Sequence, residues 1–142
     1  MDNALARNAQ LRLILDTAVD GIVAIDEHGV VRVFNRAAER IFGYEAEEVT
    51  GRNVSMLMPD PDASRHDDYI RRYLETGEAR IIGGGREVGG LRRDGTVFPM
   101  ELSVGGRRVG EQWLFIGVVR DITERRSAQE ELERYRRQLE EL

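Results

Sequence analysis

Cysteine and lysine are both absent from this chain of 142 residues. Without cysteine, the chain cannot form disulfides, iron–sulfur clusters, a haem–thiolate bond or a flavin–cysteine adduct. Without lysine, it cannot contain the phosphate-binding loop in which a lysine follows a run of glycines. Only two histidines, His28 and His66, are present, so no cluster of histidine and cysteine indicates a metal site. We therefore expect no active site for hydrolysis or phosphoryl transfer in these residues.

Long apolar runs are absent as well. No segment approaches the roughly 20 apolar residues that span a bilayer, and the start of the chain, MDNALARNAQ, lacks the charged-then-apolar pattern of a signal peptide. We therefore predict a cytoplasmic location without direct membrane contact. The net charge of −5 and the scattered arginine pairs, which lack interleaved aromatic residues, argue against binding of nucleic acid.

The length of the chain and its hydrophobic fraction of 41% suit one globular domain. Apolar residues recur at helical spacing near the start, which predicts a flanking helix over residues 1–18. The segment GIVAIDEHGVVRVFN predicts two strands around a turn at residues 27–29. The segments RAAERIFG and YEAEEVTG predict short helices that are stopped by Gly43 and Gly51.

Three longer strands follow. The segments ARIIGGGREVGGLRR, TVFPMELSV and QWLFIGVVRDI indicate strands, with turns predicted at residues 94–95 and 105–106. Together these elements predict an α+β fold over residues 19–121, a five-stranded antiparallel sheet with short helices on one face. A charged helix is predicted over residues 122–142.

One predicted helix carries a histidine on its apolar face. In SRHDDYIRRYLETG, Ser64 is placed to cap the helix with Asp67 as its capping-box partner, and Gly77 ends it. A histidine on an apolar stripe either ligates a cofactor metal or makes a hydrogen bond to a backbone carbonyl inside the core. His28, in contrast, lies in a polar turn, where we expect its side chain to face solvent. The positions that share the stripe are His66, Tyr69, Ile70, Tyr73 and Leu74.

Five segments of the chain together resemble the PAS family. They are NRAAERIFGY, MPDPDASRHDDYIRRY, IIGGGREV, RRDGTVFPMELSV and VVRDITERR, and the resemblance covers residues 10–125. Within that superfamily, the chain is similar to the haem-binding PAS domains of rhizobial FixL-type oxygen sensors. The resemblance implies a PAS fold that binds haem b and detects oxygen or another diatomic gas. It also implies an output domain in the same chain, a histidine kinase.

The same resemblance assigns roles to individual residues. It implies that His66 is the proximal ligand of the haem iron and that Arg86 hydrogen-bonds bound oxygen or a haem propionate. Arg72 matches an arginine that pairs with a propionate. Arg80 stands where these sensors have a histidine that contacts a propionate, and the change keeps a positive charge there. Gas binding would then shift the strands that carry Arg86 and Leu102 and bias the C-terminal helix between two arrangements. The other residues placed around the cofactor are Tyr69, Tyr73, Ile81, Met100, Leu102 and Val104.

The residues alone leave alternatives open. Alternation in TVFPMELSV places Phe98, Met100, Leu102 and Val104 on one strand face, which suits an apolar gas pocket and ordinary core packing equally well. Arg86 is either a ligand-binding cation or a solvated strand arginine. The alternative function is a cofactor-free PAS domain that works as a dimerisation and relay module, with its interior filled by side chains.

The tail DITERRSAQEELERYRRQLEEL has a heptad pattern. Asp121 is placed to cap the helix, with Glu124 at the capping-box position. The pattern predicts a parallel homodimer through a coiled coil that continues into the output domain, and the alternative is a single charged helix packed against the sheet. The a and d positions are Arg125, Ala128, Leu132, Tyr135, Leu139 and Leu142.

Overall fold

A computed structural model describes residues 3–66, 70–71 and 83–142 of the chain. Residues 62–66 and 70–71 are helical. The other elements, in chain order, are α1 (Asn3–Thr17), β1 (Gly21–Asp26), β2 (Val31–Phe34), α2 (Arg36–Phe42), α3 (Ala46–Val49), a 3-10 turn (Val54–Leu57), β3 (Gly83–Leu91), β4 (Val97–Val109), β5 (Gln112–Asp121) and the C-terminal helix (Thr123–Glu140).

The five strands form one antiparallel sheet in the order β2-β1-β5-β4-β3. The first and last strands of the sequence are therefore neighbours inside the sheet. The helices between β2 and β3 belong to the long connection that crosses from one edge of the sheet to the other. The predicted α+β fold with a five-stranded antiparallel sheet is confirmed.

The core lies between the inner face of the sheet and the elements of this long connection. Three phenylalanines from different elements meet there. The ring centroids of Phe34 and Phe42 are 6.0 Å apart, and those of Phe42 and Phe98 are 5.6 Å apart. Ile70 is only 8% exposed and belongs to the same buried cluster. Ile70 therefore packs on the core.

Asn35 ties several elements together beside this core. Its side-chain oxygen accepts hydrogen bonds from the backbone N–H of Ile22 (2.8 Å) and, as the cap of α2, from that of Ala38 (3.0 Å). Its side-chain nitrogen donates to the backbone oxygens of Leu15 (2.6 Å) and Asp20 (3.2 Å). The side chain is buried, and these four bonds satisfy its polar atoms inside the protein.

We expect Asn35→Ala to lower the free energy of unfolding by about 2–4 kcal/mol, because it removes a helix cap and leaves buried backbone groups without their partner. Urea denaturation followed by circular dichroism measures the change. Asn53→Ala is the control. The Asn53 side chain accepts from the N–H of Ser55 (2.9 Å) at a cap that is only partly buried, so about 1 kcal/mol is expected. Equal losses in the two variants would contradict the role of Asn35.

The turn between β4 and β5 lies further along the chain than predicted. Gly105 and Gly106 are part of β4 and pair with Ile116 and Phe115, so the prediction of a turn at these glycines is wrong. The hairpin closes instead in the two residues between β4 and β5, where Gly110 has a φ of +65°. Glycine adopts extended and left-handed backbone with similar ease, so a pair of glycines alone does not locate a turn.

The helix that contains His66 begins earlier than predicted. Residues 62–66 are helical, so the prediction that Ser64 caps this helix is wrong. The hydroxyl of Ser64 lies within the helix and donates to the backbone oxygen of Pro61 (3.0 Å), one turn earlier. The predicted capping partner Asp67 and the predicted helix end at Gly77 lie outside the described residues.

Candidate functional site

The inner face of β3 and β4 forms one wall of the core. The register places Arg86 opposite Leu102, and Val88 opposite Met100. Because directly opposed residues of antiparallel strands share a face, these side chains leave the sheet on the same side. Met100 is buried, and Leu102 and Val104 pack against the core cluster. The predicted apolar strand face is confirmed.

Arg86 lies at the rim of this wall. Its side chain leaves the sheet on the same face as Leu102, but it is exposed to solvent. The register of the two strands shifts between Gly83 and Arg86, as it does at a β-bulge, and such a shift decides the face to which the following side chains point. Arg86 is thus an exposed cation beside an apolar wall.

The two histidines have different environments. His66 is half-buried, and its Nδ1 atom is buried. Ile70, four residues further on, is part of the core. The side chain of His28 is 79% exposed in the β1–β2 turn and lies 4.0 Å from the carboxylate of Glu27. His66 is therefore the histidine whose ring enters the protein, as predicted.

The predicted site residues divide into two groups. The structure brings Arg86, Met100, Leu102 and Val104 together on one wall, and it places His66 at the end of the helical residues 62–66, four residues before the core residue Ile70. The remaining predicted site residues lie outside the described residues, and they are Tyr69, Arg72, Tyr73, Arg80 and Ile81.

Arg92 connects the core to the end of β5, a role that the sequence did not predict. Its guanidinium donates to the backbone oxygen of Ile41 (2.6 Å) and to the carboxylate of Asp121 (2.9 Å). It also lies 4.0 Å from the ring centroid of Phe98, a cation–π contact. Burial alone would raise the pKa of Asp121, but hydrogen bonds from Thr123 and Arg92 outweigh this effect and lower it. The charged pair holds the junction between sheet and C-terminal helix.

The C-terminal helix begins directly after this junction. The Oδ1 atom of Asp121 accepts a hydrogen bond from the N–H of Thr123 (2.9 Å), although Ile122 occupies the N-cap position. None of the helix residues is buried. The alternative in which this helix packs its apolar stripe on the sheet is therefore wrong. The exposed fractions along the stripe are 68% for Leu132, 61% for Tyr135 and 52% for Leu139.

The start of the predicted coiled-coil seam differs from the rest. Arg125, the first predicted seam position, contacts Glu101 on β4 (3.3 Å) instead of facing away from the domain. The seam that remains available to a partner helix is the later, apolar part of the stripe.

An open cleft of about 390 Å³ lies at the end of α2. Two of its arginines serve the fold, since Arg92 bonds to Ile41 and Asp121, and Arg93 bonds to Glu48 (3.1 Å). We therefore assign this cleft no ligand. The lining residues are Arg40, Ile41, Phe42, Gly43, Arg92, Arg93 and Asp94.

Two features are absent from residues 3–66, 70–71 and 83–142. In these ranges, no group of three or more histidine, cysteine, aspartate or glutamate side chains could hold a metal ion. Within the same ranges, no helix combines the length and the apolar character that crossing a membrane requires.

Comparisons with known proteins agree with the fold. The family model of the PAS fold matches residues 9–122. The chain is 49% identical over 133 residues to the sensor protein FixL of Bradyrhizobium diazoefficiens, and this match covers 94% of this chain and 26% of FixL. It is 35% identical over 131 residues to the cell-division control histidine kinase PdhS of Brucella ovis, and this match covers 92% of this chain and 12% of PdhS. The chain thus spans about a quarter or less of the length of these curated relatives.

Solved structures resemble the domain as well. The PAS domain of an HTR-like protein from Haloarcula marismortui superposes with a TM-score of 0.65 at 22% identity, over 83% of this chain and 93% of that domain. At this level of identity, the likeness concerns the fold alone.

Proposed function

Because this chain belongs to the PAS family, we propose that it is the haem-based oxygen-sensing domain of a signalling protein with a histidine kinase as output in the same chain. Its relatives FixL, a sensor protein, and PdhS, a histidine kinase, support a role in two-component signalling. The observation that carries the proposal is the placement of His66, whose Nδ1 atom is buried, four residues before the core residue Ile70. A histidine that ligates a metal through one ring nitrogen commonly directs the other nitrogen into the protein.

The chemistry of the described residues supports a haem site. When bound, haem would supply an iron atom that takes up a diatomic gas. His66 would be the axial ligand, and Met100, Leu102 and Val104 would form an apolar wall that excludes water. Arg86, at the rim of that wall, would donate hydrogen bonds to the gas or to a propionate. The resemblance to FixL-type sensors adds Tyr69, Arg72, Tyr73, Arg80 and Ile81 as further haem contacts.

An absorbance spectrum tests this proposal. We expect the 142-residue chain, produced with haem supplied, to show a Soret band at one haem per chain. The band should shift when oxygen or carbon monoxide is added to the reduced protein. A chain that shows no Soret band after reconstitution with haem would contradict the proposal.

The second candidate is a cofactor-free PAS domain for dimerisation and relay. The exposed apolar stripe of the C-terminal helix favours it, since pairing through this stripe needs no cofactor. In this case the chain would form the same parallel dimer without a Soret band. The spectrum therefore separates the two functions.

We expect Arg86→Ala to speed the release of oxygen by roughly 10- to 100-fold and to change the release of carbon monoxide far less. Oxygen gathers negative charge when it binds, whereas carbon monoxide stays nearly apolar, so a charged donor favours oxygen by roughly 1.5–3 kcal/mol. Stopped-flow absorbance measures both rates. Arg107→Ala, at an exposed β4 position that pairs with Leu114, is the control and should change neither rate. Equal acceleration for both gases would contradict the role of Arg86.

A further inference from the structure

We propose that two arginines of the C-terminal helix and two glutamates of the sheet form an electrostatic latch that sets the direction in which the helix leaves the domain. The latch consists of Glu87 on β3, Glu101 on β4, and Arg125 and Arg126 on the helix. Its use in signalling rests on the sensor function proposed above, whereas its effect on the direction of the helix does not.

The two glutamates lie side by side on the outer face of the sheet. Glu87 is directly opposite Glu101 in the register of β3 and β4, so both side chains leave the same face. The neighbouring Met100 is buried in the core, and alternation therefore directs Glu101 to the opposite side. Like charges that oppose each other across two strands destabilise the pairing. Cations close to this pair of carboxylates would offset their repulsion.

The start of the C-terminal helix supplies these cations. The Nη2 atom of Arg125 is 3.3 Å from Oε2 of Glu101 and 3.8 Å from Oε1 of Glu87. The Nη2 atom of Arg126 is 3.5 Å from Oε2 of Glu87. Two adjacent cations of the helix thus balance two adjacent anions that come from two different strands.

These ion pairs give the helix its second point of attachment. Ile122, directly before the helix, is buried and anchors its first residue. No residue of the helix itself is buried. One anchor determines where a helix begins but leaves its direction free. Arg125 and Arg126, about one turn later, supply the second point that a direction requires.

Gly85 makes room for the latch. A Cβ atom at this position would lie 2.7 Å from Cγ and 2.9 Å from Cδ of Glu101. The side chain of Glu101 therefore lies across the backbone of β3 at Gly85, and any side chain at position 85 would displace its carboxylate. The need for space explains this glycine inside a strand.

The latch adjoins the wall that carries Arg86. Arg86 and Glu87 are consecutive residues of β3, so their side chains leave opposite faces of the sheet. A displacement of β3 at Arg86 would therefore move Glu87 as well. The latch side chains are about one-third to one-half exposed, and exposed ion pairs are weak and screened by salt. The latch can therefore open, as a two-state relay requires.

Distances between spin labels test the latch. The chain has no cysteine, so Val97→Cys on β4 and Gln138→Cys on the helix, both exposed positions, give two unique labelling sites. Labelled chains are diluted with unlabelled ones, so that only distances within a chain are measured. We expect the chain with only the two labelling substitutions to give one narrow distance distribution. The same labelled chain with Arg125→Glu should give a distribution at least twofold broader. Adding Glu101→Arg to this variant should restore the narrow distribution.

Matched variants separate the latch from general effects. Arg134→Glu makes the same change of charge on the same helix outside the latch, and it should leave the distribution narrow. Gly85→Ala should broaden the distribution, whereas Gly105→Ala, where a Cβ atom would meet open space, should not. An unchanged width in Arg125→Glu, or no recovery on adding Glu101→Arg, would overturn the latch. The measurement needs no haem, so it stands whether or not a Soret band is found.

Discussion

We expect His66→Ala to abolish stoichiometric haem binding while the domain stays folded. The Soret band of the reconstituted protein should disappear, and the far-ultraviolet circular dichroism should be retained. In the proposed site, His66 is the axial ligand of the iron, and its Nδ1 atom is buried, whereas the side chain of His28 is exposed. Loss of the His66 imidazole would therefore remove the bond that holds the haem iron. The fold should survive because the buried core cluster does not include His66.

His28→Ala is the matched control for this variant. The His28 side chain is 79% exposed, so the variant should bind haem as the unmodified chain does. Haem at a hundredfold excess over its dissociation constant should raise the free energy of unfolding of His28→Ala by about 2.7 kcal/mol, and that of His66→Ala hardly at all. Equal Soret absorbance in His66→Ala and the unmodified chain would end the assignment of His66 as ligand.

The second expected result concerns assembly. We predict that the 142-residue chain is a parallel dimer at micromolar concentration and that the double variant Leu132→Glu, Leu139→Glu shifts it towards monomer. Both leucines are more than half exposed in the single chain, and each occupies position a of its heptad. Two glutamates there would place like charges in the seam of a coiled coil, where burial of a charge is costly. Sedimentation velocity measures the change.

The control must alter the charge of the same helix without touching the seam. Arg134→Gln with Arg137→Gln changes the net charge by the same two units at positions that face away from the predicted partner. An arginine four residues after a glutamate, as in Glu130–Arg134 and Glu133–Arg137, contributes only about 0.2–0.5 kcal/mol to a helix, so the dimer should persist without these charges. An unchanged sedimentation coefficient in the leucine variant would show that this seam does not hold a dimer.

Local sequence patterns determined the strands, their faces and the end of α2. The alternation of Met100, Leu102 and Val104 depends only on the two-residue period of a strand, and the structure places all three on the core side. Gly43 ends α2 with a φ of +80°, as predicted, because glycine adopts this conformation at little steric cost. Such features arise from a few neighbouring residues, so the pattern is sufficient to predict them.

Local patterns failed where one residue type suits two conformations. Gly105 and Gly106 were predicted as a turn, but pairing with β5 keeps both extended. Ser64 was predicted as a cap, but it lies within a helix that begins at residue 62. For the glycines, the register with β5 selects one of two conformations that the local sequence permits. For Ser64, backbone hydrogen bonds from Ala63 to Pro59 and from Arg65 to Pro61 start the helix before the residue that was predicted to cap it.

Contacts between distant residues were decided only by the tertiary structure. The position of Asn35 before a helix is typical of a cap, yet its bond to Leu15 exists only because α1 lies beside α2. Arg125 was predicted at the start of a coiled-coil seam, yet it pairs with Glu101, because β3 and β4 present two carboxylates where the helix begins. The sequence by itself determined the fold, the apolar wall and the one histidine that enters the protein. The tertiary structure decided which charges meet, because an ion pair forms wherever folding brings opposite charges together, and no local pattern encodes that meeting.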